Sequence, residues 1–392
     1  MKIAKKIIFL IAITASIVTN AQVKPAPLPY FTFGKGIGLT APDSTFSMAI
    51  RFRVQNRVAF KTVSDTDFGI SEVEARVRRL RLRFDGFVYD PRLVYVLQLS
   101  FTRSDMDFET TQFPNIIRDA YIQYSISKNV TVGVGQTKLP GNRQRVVSSG
   151  DQQFADRSIA NGAFTLDRDF GVQLAVKQPM YTFRAAISSG EGRNITTSDN
   201  GLAYTGRVEL LPFGAFTNGG DYFEGDLARE QKPKLSIGLA YNLNEKAVRT
   251  GGQLGVPLYE GRTIETQIVD AVFKYSGLAI SGEYFNRFAK DPITTNEEGE
   301  ERHVYSGIGQ NYQVSYNFKN NVELATRYTV ISPRQVIAHK EKLKENYTLG
   351  VNKYLKGHRV KLQGDVTLER AARFGTEATQ TWAVRFQIEA GI

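Results

Sequence analysis

Residues 46–61 read FSMAIRFRVQNRVAFK, and the two parities of this stretch differ in kind. Phe46, Met48, Ile50, Phe52, Val54, Val58 and Phe60 occupy one parity, while Ser47, Arg51, Arg53, Gln55, Arg57 and Lys61 occupy the other. Successive side chains of an extended chain point to opposite faces, so the pattern predicts a strand with one apolar and one charged face. A soluble sandwich strand is about five or six residues long. Alternation over all of 46–61 is long enough to cross a bilayer. The C-terminus repeats it, with Trp382, Val384, Phe386, Ile388, Ala390 and Ile392 on one parity and Thr381, Arg385, Gln387 and Glu389 on the other.

Read through the intervening chain, the same alternation predicts strands near 46–61, 73–89, 92–103, 116–126, 129–138, 169–177, 181–189, 201–211, 234–242, 264–275, 277–288, 304–318, 321–331, 345–355, 358–369 and 380–392. Every second junction is tight: Asp90-Pro91, Ser127-Lys128, Gln178-Pro179-Met180, Ser276, Lys319-Asn320 and Lys356-Gly357. Longer polar gaps lie between them, the pattern of short periplasmic turns and long external loops. Residues 212–233 break the rule, either as an ordered periplasmic excursion or as a miscounted strand. After the first twenty-odd residues no apolar run approaches the ~18 residues of a spanning helix. A sheet facing lipid must close on itself to pair its backbone groups. The expected fold is therefore all-β, a sixteen-stranded antiparallel transmembrane β-barrel with an inward-folded third external loop. A closed barrel of this size leaves an aqueous lumen, which implies a channel.

The N-terminus carries Lys2, Lys5 and Lys6, then an apolar run from Ile7 to Val18 and the small or polar Thr19-Asn20-Ala21. This predicts a secretory signal peptide over 1–21, a periplasmic segment over 22–45 and the barrel over 46–392. The chain has no cysteine, which excludes disulfides and thiolate chemistry. Its 25 Phe, 18 Tyr and 34 Gly favour strands and turns, and aromatics near the strand ends suit headgroup depth, in contact with outer-membrane lipid and lipopolysaccharide. The net charge of +11 points to anionic partners.

If the apolar parity faces lipid, the other lines the lumen with arginine: Arg51, Arg53 and Arg57 on the first strand, then Arg76, Arg78, Arg79, Arg81 and Arg83 on the second. Arg78 and Arg79 are consecutive, so a β-bulge is expected to turn both inward. Few acids stand near these strands in sequence, Glu74 and Asp85 among them. Asp119, Glu209, Glu283, Glu323, Asp365 and Glu389 are lumenal acids farther round. Small inorganic anions fit this lining, because the guanidinium fork suits oxyanions and does not titrate away. The third external gap, 139–168, brings Arg143, Arg145 and Arg157 with the hydroxyls of Ser148 and Ser149, provided that it folds inward rather than outward. The acidic run Glu297, Glu298, Glu300 and Glu301 reads as a solvated loop, or as a divalent-ion bridge to lipopolysaccharide.

Nothing here calls for a cofactor, a metal, a nucleic acid or catalysis. His303, His339 and His358 fall in two external loops and a periplasmic turn, and no nucleophile elbow, phosphate loop or zinc-protease motif is present. Two function classes stay open: an anion-preferring or general porin, and an outer-membrane receptor or adhesin.

The stretches FSMAIRFRVQNR at 46–57, VRRLRLRFDG at 77–86, RDAYIQY at 118–124, RVVSS and FADRS in the third loop and GVNKYLKGH at 350–358 resemble the phosphate-selective porin O and P family. The resemblance implies a homotrimer of sixteen-stranded barrels in the outer membrane of a Gram-negative bacterium. It also implies an arginine ladder leading to a constriction, with an anion site between loop three and the wall. Carried over by position, the arginine pair is Arg78 and Arg79 and the site aspartate is Asp119. The loop contributes Arg145, Ser148, Ser149 and Arg157, and Arg51 or Arg53 is the first-strand member. Arg145 stands where the best-understood members of the family use lysine, and the chain ends in Ile392 rather than the usual terminal Phe.

Overall fold

The computed structural model describes residues 28–102, 105, 114–195, 201–373 and 375–392. The expected signal peptide, 1–21, lies outside the described residues. A hairpin of β1 (Leu28–Thr32) and β2 (Gly36–Thr40) precedes the wall. The wall begins with β3 (Ser47–Thr62), β4 (Ile70–Val88), β5 (Asp90–Ser100), β6 (Ile117–Ser125), β7 (Val130–Lys138), β8 (Arg168–Lys177), β9 (Tyr181–Ser188) and β10 (Ala203–Leu210). It continues with β11 (Lys234–Arg249), β12 (Pro257–Tyr275) and β13 (Leu278–Ala289). After the small loop hairpin of β14 (Ile293–Thr295) and β15 (Glu301–His303), the wall resumes with β16 (Gly307–Asn317), β17 (Val322–Pro333), β18 (Leu343–Lys356), β19 (Val360–Ala372) and β20 (Thr379–Gly391). Each wall strand pairs antiparallel with its neighbours, and β20 pairs with β3 from Ala383↔Lys61 to Gly391↔Arg53. That pairing closes a sixteen-stranded barrel.

The parity read from β3 sets inside and outside. Phe52 is 45% exposed and Phe386 56%, whereas Gln55, Arg57, Gln387 and Glu389 are buried. Leu80, Val134, Val172, Leu349 and Ile388 continue the exposed apolar face around the wall. A soluble monomer does not carry an apolar surface of this extent, so lipid covers it. Phe52→Arg should therefore destabilise the barrel by about 2–4 kcal/mol where it faces the bilayer midplane. Urea titration in lipid vesicles reads this out, and an unchanged midpoint would contradict the outward orientation.

The turns at one rim are short. Tyr89 alone links β4 to β5, and Ser276 with Gly277 links β12 to β13, with φ of 50° and 96°. Such a pair of left-handed residues matches the twist of a two-residue hairpin. At the other rim β11 and β12 run on to Arg249 and from Pro257, where the sequence reading placed a loop over 243–263. Register shifts after Asn244 and Ala247 carry the pair past the rim. Buried Ala247, Leu258, Ile264, Ala289 and Val304 form the apolar contact that fixes the extension.

Residues 212–233 are an ordered excursion and the strand count holds on either side of it. It contains a 3-10 turn over Thr217–Tyr222 and enters the lumen from the short-turn rim. Lys274, facing inward on β12, donates to the carbonyls of Gly220 at 2.7 Å and Phe223 at 2.8 Å, and to that of Gly225. The Asp226 carboxylate accepts from the Gly277 backbone N–H at 2.7 Å.

Candidate functional site: the pore loop and the cavity beside it

Loop three connects β7 to β8 through two short helical turns, α1 (Arg143–Val146) and α2 (Ile159–Phe164). Ser158 caps α2, its hydroxyl accepting from the Asn161 backbone N–H at 3.0 Å. Leu139, Ala160, Phe164 and Leu166 pack with the inward-facing Ile268, Phe285 and Ile331 of the wall. Glycine makes room for this. A Cβ on Gly309 would stand 2.6 Å from the Phe164 ring, and one on Gly350 would stand 2.9 Å from the Phe154 ring.

Polar contacts extend the attachment around the same side. Arg143 donates to Asp270 at 2.9 Å and Ser236 at 2.8 Å, and the Gln144 backbone N–H to Glu283 at 2.9 Å. Gln153 donates to Glu323 at 2.8 Å, the Ala155 N–H to Asp365 at 3.0 Å, and Lys361 to the carbonyls of Gly150 and Gln152 at 2.8 and 2.7 Å. All these wall side chains stand on the parity opposite the lipid face. The loop accordingly lies within the barrel against β10 to β20. Glu209, Asp270, Glu283, Glu323, Asp365 and Glu389 are buried beneath or beside it. Of the lumenal acids named from sequence, Asp119 is the one that borders the cavity left on the other side.

That cavity, about 170 Å³, lies between loop three and β4 to β8. Arg81, Arg118, Lys138, Arg145, Arg157 and Arg168 line it together with Arg83, and Asp119 is the carboxylate among the lining residues. Asp119 accepts from Arg168 Nε at 2.9 Å and from its terminal nitrogen at 3.0 Å, so its charge is already matched. Ser149 Oγ accepts from Arg53 at 2.7 Å and from Arg81 at 2.8 Å. With both lone pairs engaged, its O–H must donate elsewhere. Ser148 accepts from Arg53 at 3.4 Å.

Two bulges build this lining. Gln55 pairs with Arg79 and Asn56 with Val77, which leaves Arg78 as the extra residue, as the consecutive arginines implied. Gln98 pairs with Asp119 and Leu99 with Ile117, so Arg118 is a second extra residue that sequence reasoning passed over. Arg118 and Asp119 break the alternation of β6 as Arg78 and Arg79 break that of β4, so the signal was present. Lys138 and Arg168, at the two feet of the loop, were also missed. Each stands where strand periodicity gives way to loop.

Of the other expected site residues, Arg145 and Arg157 line the cavity, whereas Arg51, Arg53, Arg78 and Arg79 lie around it. Arg78 pairs with Asp156 at 3.0 Å. Arg79 donates to Gln55 at 2.7 Å and, among the described residues, forms no ion pair. Arg51 pairs with Asp85 toward the short-turn rim, away from the loop. Arg145 lines the cavity while pairing with Asp167, and Arg157 donates to the carbonyls of Gln144 at 2.7 Å and Val147 at 3.0 Å. The ladder has more counter-charge than its sequence neighbours suggested, because acids arrive from distant segments. Arg81 meets Asp105 at 2.6 Å, Arg57 meets Asp156 at 2.5 Å, and Arg53 meets Glu389 at 3.6 Å.

At the cavity itself positive charge remains in excess. Burial, then the neighbouring Arg81, pushes Arg157 down to about 9. Burial, then Arg168, pushes Arg145 well below the ordinary arginine value. An arginine keeps its proton at neutral pH even so, and a bound anion would relieve the strain on the charged form. Toward the short-turn rim the cavity meets a space of about 450 Å³, where Lys128, Lys138, Lys177 and Arg184 face no carboxylate among the lining residues. Toward the outside, Arg57, Lys61, Arg76 and Arg385 are mixed with Glu72, Glu74, Asp156 and Glu369. The path thus changes from mixed to cationic lining.

The model of the phosphate-selective porin O and P family matches residues 49–387. Among solved structures, the outer membrane channel DcaP of Acinetobacter baumannii superimposes with a TM-score of 0.57 at 13% identity, covering 91% of this chain and 99% of that one. OmpT of Vibrio cholerae, in its trimer form, gives a TM-score of 0.52 at 10% identity over 88% and 99%. At these identities the likeness is one of fold. No curated protein is significantly similar in sequence. Because the family match runs from the first wall strand into the last, the chain belongs to the phosphate-selective porin O and P family and is a channel of the Gram-negative outer membrane.

Proposed function

We propose that this porin is a passive, anion-preferring channel and that the cavity beside loop three is its seat for a small oxyanion, with phosphate favoured over chloride. The charge balance at the cavity carries this reading: six buried or half-buried cations and Arg83 line it against Asp119 within and Asp85, Asp105 and Asp167 paired from behind, so cations outnumber carboxylates. A unit pair at 4 Å is worth ~1 kcal/mol in bulk water and ~4 kcal/mol at an effective dielectric of 20. Two or three guanidinium groups at that range concentrate an anion without trapping it, as conduction requires. At ~30 Å³ per water the cavity holds roughly five or six waters, enough for one oxyanion with part of its hydration shell. Planar guanidinium groups and the Ser149 hydroxyl supply donors in several directions, which a tetrahedral oxyanion uses better than a spherical ion. OmpT of Vibrio cholerae was solved as a trimer, and together with family membership that supports a homotrimer here.

The test is the reversal potential across a planar bilayer in a chloride gradient, with phosphate block of the chloride current. The parent should be anion-selective. Arg78→Ala with Arg79→Ala should move the reversal potential toward the unselective value and weaken the block. Lys61→Ala, which removes an outer-mouth lysine paired with Glu369 at 2.8 Å, should do little. A double variant as anion-selective as the parent would mean that these arginines serve the wall, through Asp156 and Gln55, rather than the anion path, and the general-porin reading would replace this one.

A further inference from the structure

The cavity-facing part of loop three is the arc from Gln144 to Gln153, which presents Arg145, Ser148 and Ser149. Both ends of that arc meet one side chain that belongs to neither the loop nor the wall. Glu224, in the excursion after β10, accepts from Gln144 Nε2 at 3.3 Å through one carboxylate oxygen and from the Gln153 backbone N–H at 2.9 Å through the other. Its own backbone N–H donates to the Asp151 carbonyl at 2.8 Å, and its carbonyl accepts from His358 Nε2 at 3.0 Å. Three residues earlier in the excursion, the Asp221 carbonyl accepts from Arg143 at 3.3 Å.

The excursion is itself fixed to the barrel. Lys274 gathers the carbonyls of Gly220, Phe223 and Gly225, Tyr222 donates to Glu209, and Asp226 holds the Gly277 N–H. Arg229 donates to the Ser276 carbonyl at 3.0 Å and to that of Asn317. The other described turns at this rim span one to four residues, so a segment of this length is not needed to connect two adjacent strands. Its contacts converge on loop three.

We propose that Glu224 is the positioning residue of the pore loop: from the periplasmic side it clamps the two ends of the 144–153 arc and so sets the channel's cross-section and the placement of its anion-facing groups, without lining the path. The part that concerns anions rests on the function proposed above; the part that concerns cross-section does not. Removing the carboxylate takes away the contact that joins the two ends of the arc, leaving Gln144 on Glu283 and Gln153 on Glu323 as separate anchors while Arg143 and Ala155 stay docked on Asp270 and Asp365. The arc then samples positions closer to and farther from β4, which widens the path on average and makes it fluctuate.

The test uses the full-length porin in planar bilayers, comparing the parent with Glu224→Ala, Glu224→Gln and Lys274→Ala, with thermal unfolding in detergent as the check on folding. Glu224→Ala should raise single-channel conductance about twofold, increase open-channel noise and lower anion-over-cation permeability, since the field of a narrow pore depends on wall placement. Its barrel should melt close to the parent. Glu224→Gln, which keeps an acceptor for one end of the arc, should fall between, and Lys274→Ala, which releases the excursion from the wall, should follow Glu224→Ala. Folded Glu224→Ala and Lys274→Ala channels with the parent's conductance and noise would overturn the clamp. If Glu224→Ala does not fold, an unchanged Glu224→Gln conductance overturns it instead. An unselective parent would overturn only the anion reading, because conductance and noise report on the clamp independently of ion preference.

Discussion

Excising residues 143–157 should raise single-channel conductance several-fold and abolish or reverse anion preference, as expected when a constriction inside a wide barrel is lost. The excision is sterically open, since the Asn142 side chain already touches Asn161 at 3.0 Å and Thr165 at 3.0 Å, so the two feet of the deleted arc are adjacent. It removes Arg143, Arg145 and Arg157. It also uncovers Glu209, Asp270, Glu283, Glu323 and Asp365, which the loop now buries. A wall whose acids were hidden would then face the permeating ions. Single-channel current and reversal potential read both effects together. An unchanged current would place the loop outside the conduction path and remove the basis for the cavity.

A second large effect is expected from Arg168→Ala. This side chain holds Asp119 through two nitrogens and approaches Asp167 at 3.5 Å, and both carboxylates are buried. Breaking a buried pair by removing one partner costs about 3–5 kcal/mol, because the other charge is left uncompensated. Here it also removes a cation of the cavity and leaves Asp119 unmatched, a change of one unit charge beside the anion path. At ~4 kcal/mol for a unit pair at 4 Å and an effective dielectric of 20, phosphate block should weaken tenfold or more. Adding Asp119→Asn removes the freed charge and should restore part of the block. A double variant no better than Arg168→Ala alone would show that loop displacement, rather than charge, dominates.

The barrel was legible because one physical rule, apolar outside and polar inside at period two, operates along the whole wall. In β3 and β20 it is nearly unbroken, and even the exception at 212–233 stood out by its composition. The hairpin of β1 and β2 was not legible, since LPYFT and GIGLT are too short to establish a period. The overhang of β11 and β12 was hidden for a different reason. Above the rim there is no lipid to enforce alternation, and local apolar packing at Leu258 and Val304 decides instead.

The site was legible by residue type and less so by arrangement. Arginines facing inward on β4 follow from parity, but which of them border the cavity depends on where loop three lies. Counter-charges such as Asp105, Asp156 and Glu389 come from segments far from β3 and β4 in sequence. No local pattern announces them. The consecutive charges at 118 and 119 did carry a signal, and the rule that located the bulge at Arg78 would have located this one.

The N-terminal hairpin bears on the order in which the wall comes together. β3 meets β20 only between Arg53 and Lys61, while its lower edge pairs with β2, from Ser47↔Thr40 to Ile50↔Ile37. The lower pairing joins residues close in sequence and can form as soon as the N-terminal part of the chain is available. The upper one joins the two ends of the barrel across the longest loop in the molecule and must wait for the last strand to emerge. Until then the upper edge of β3 offers unpaired backbone groups to any passing strand, the usual route to mispaired assemblies. The hairpin shortens that open edge from below, so the first strand enters the closing step already half sealed.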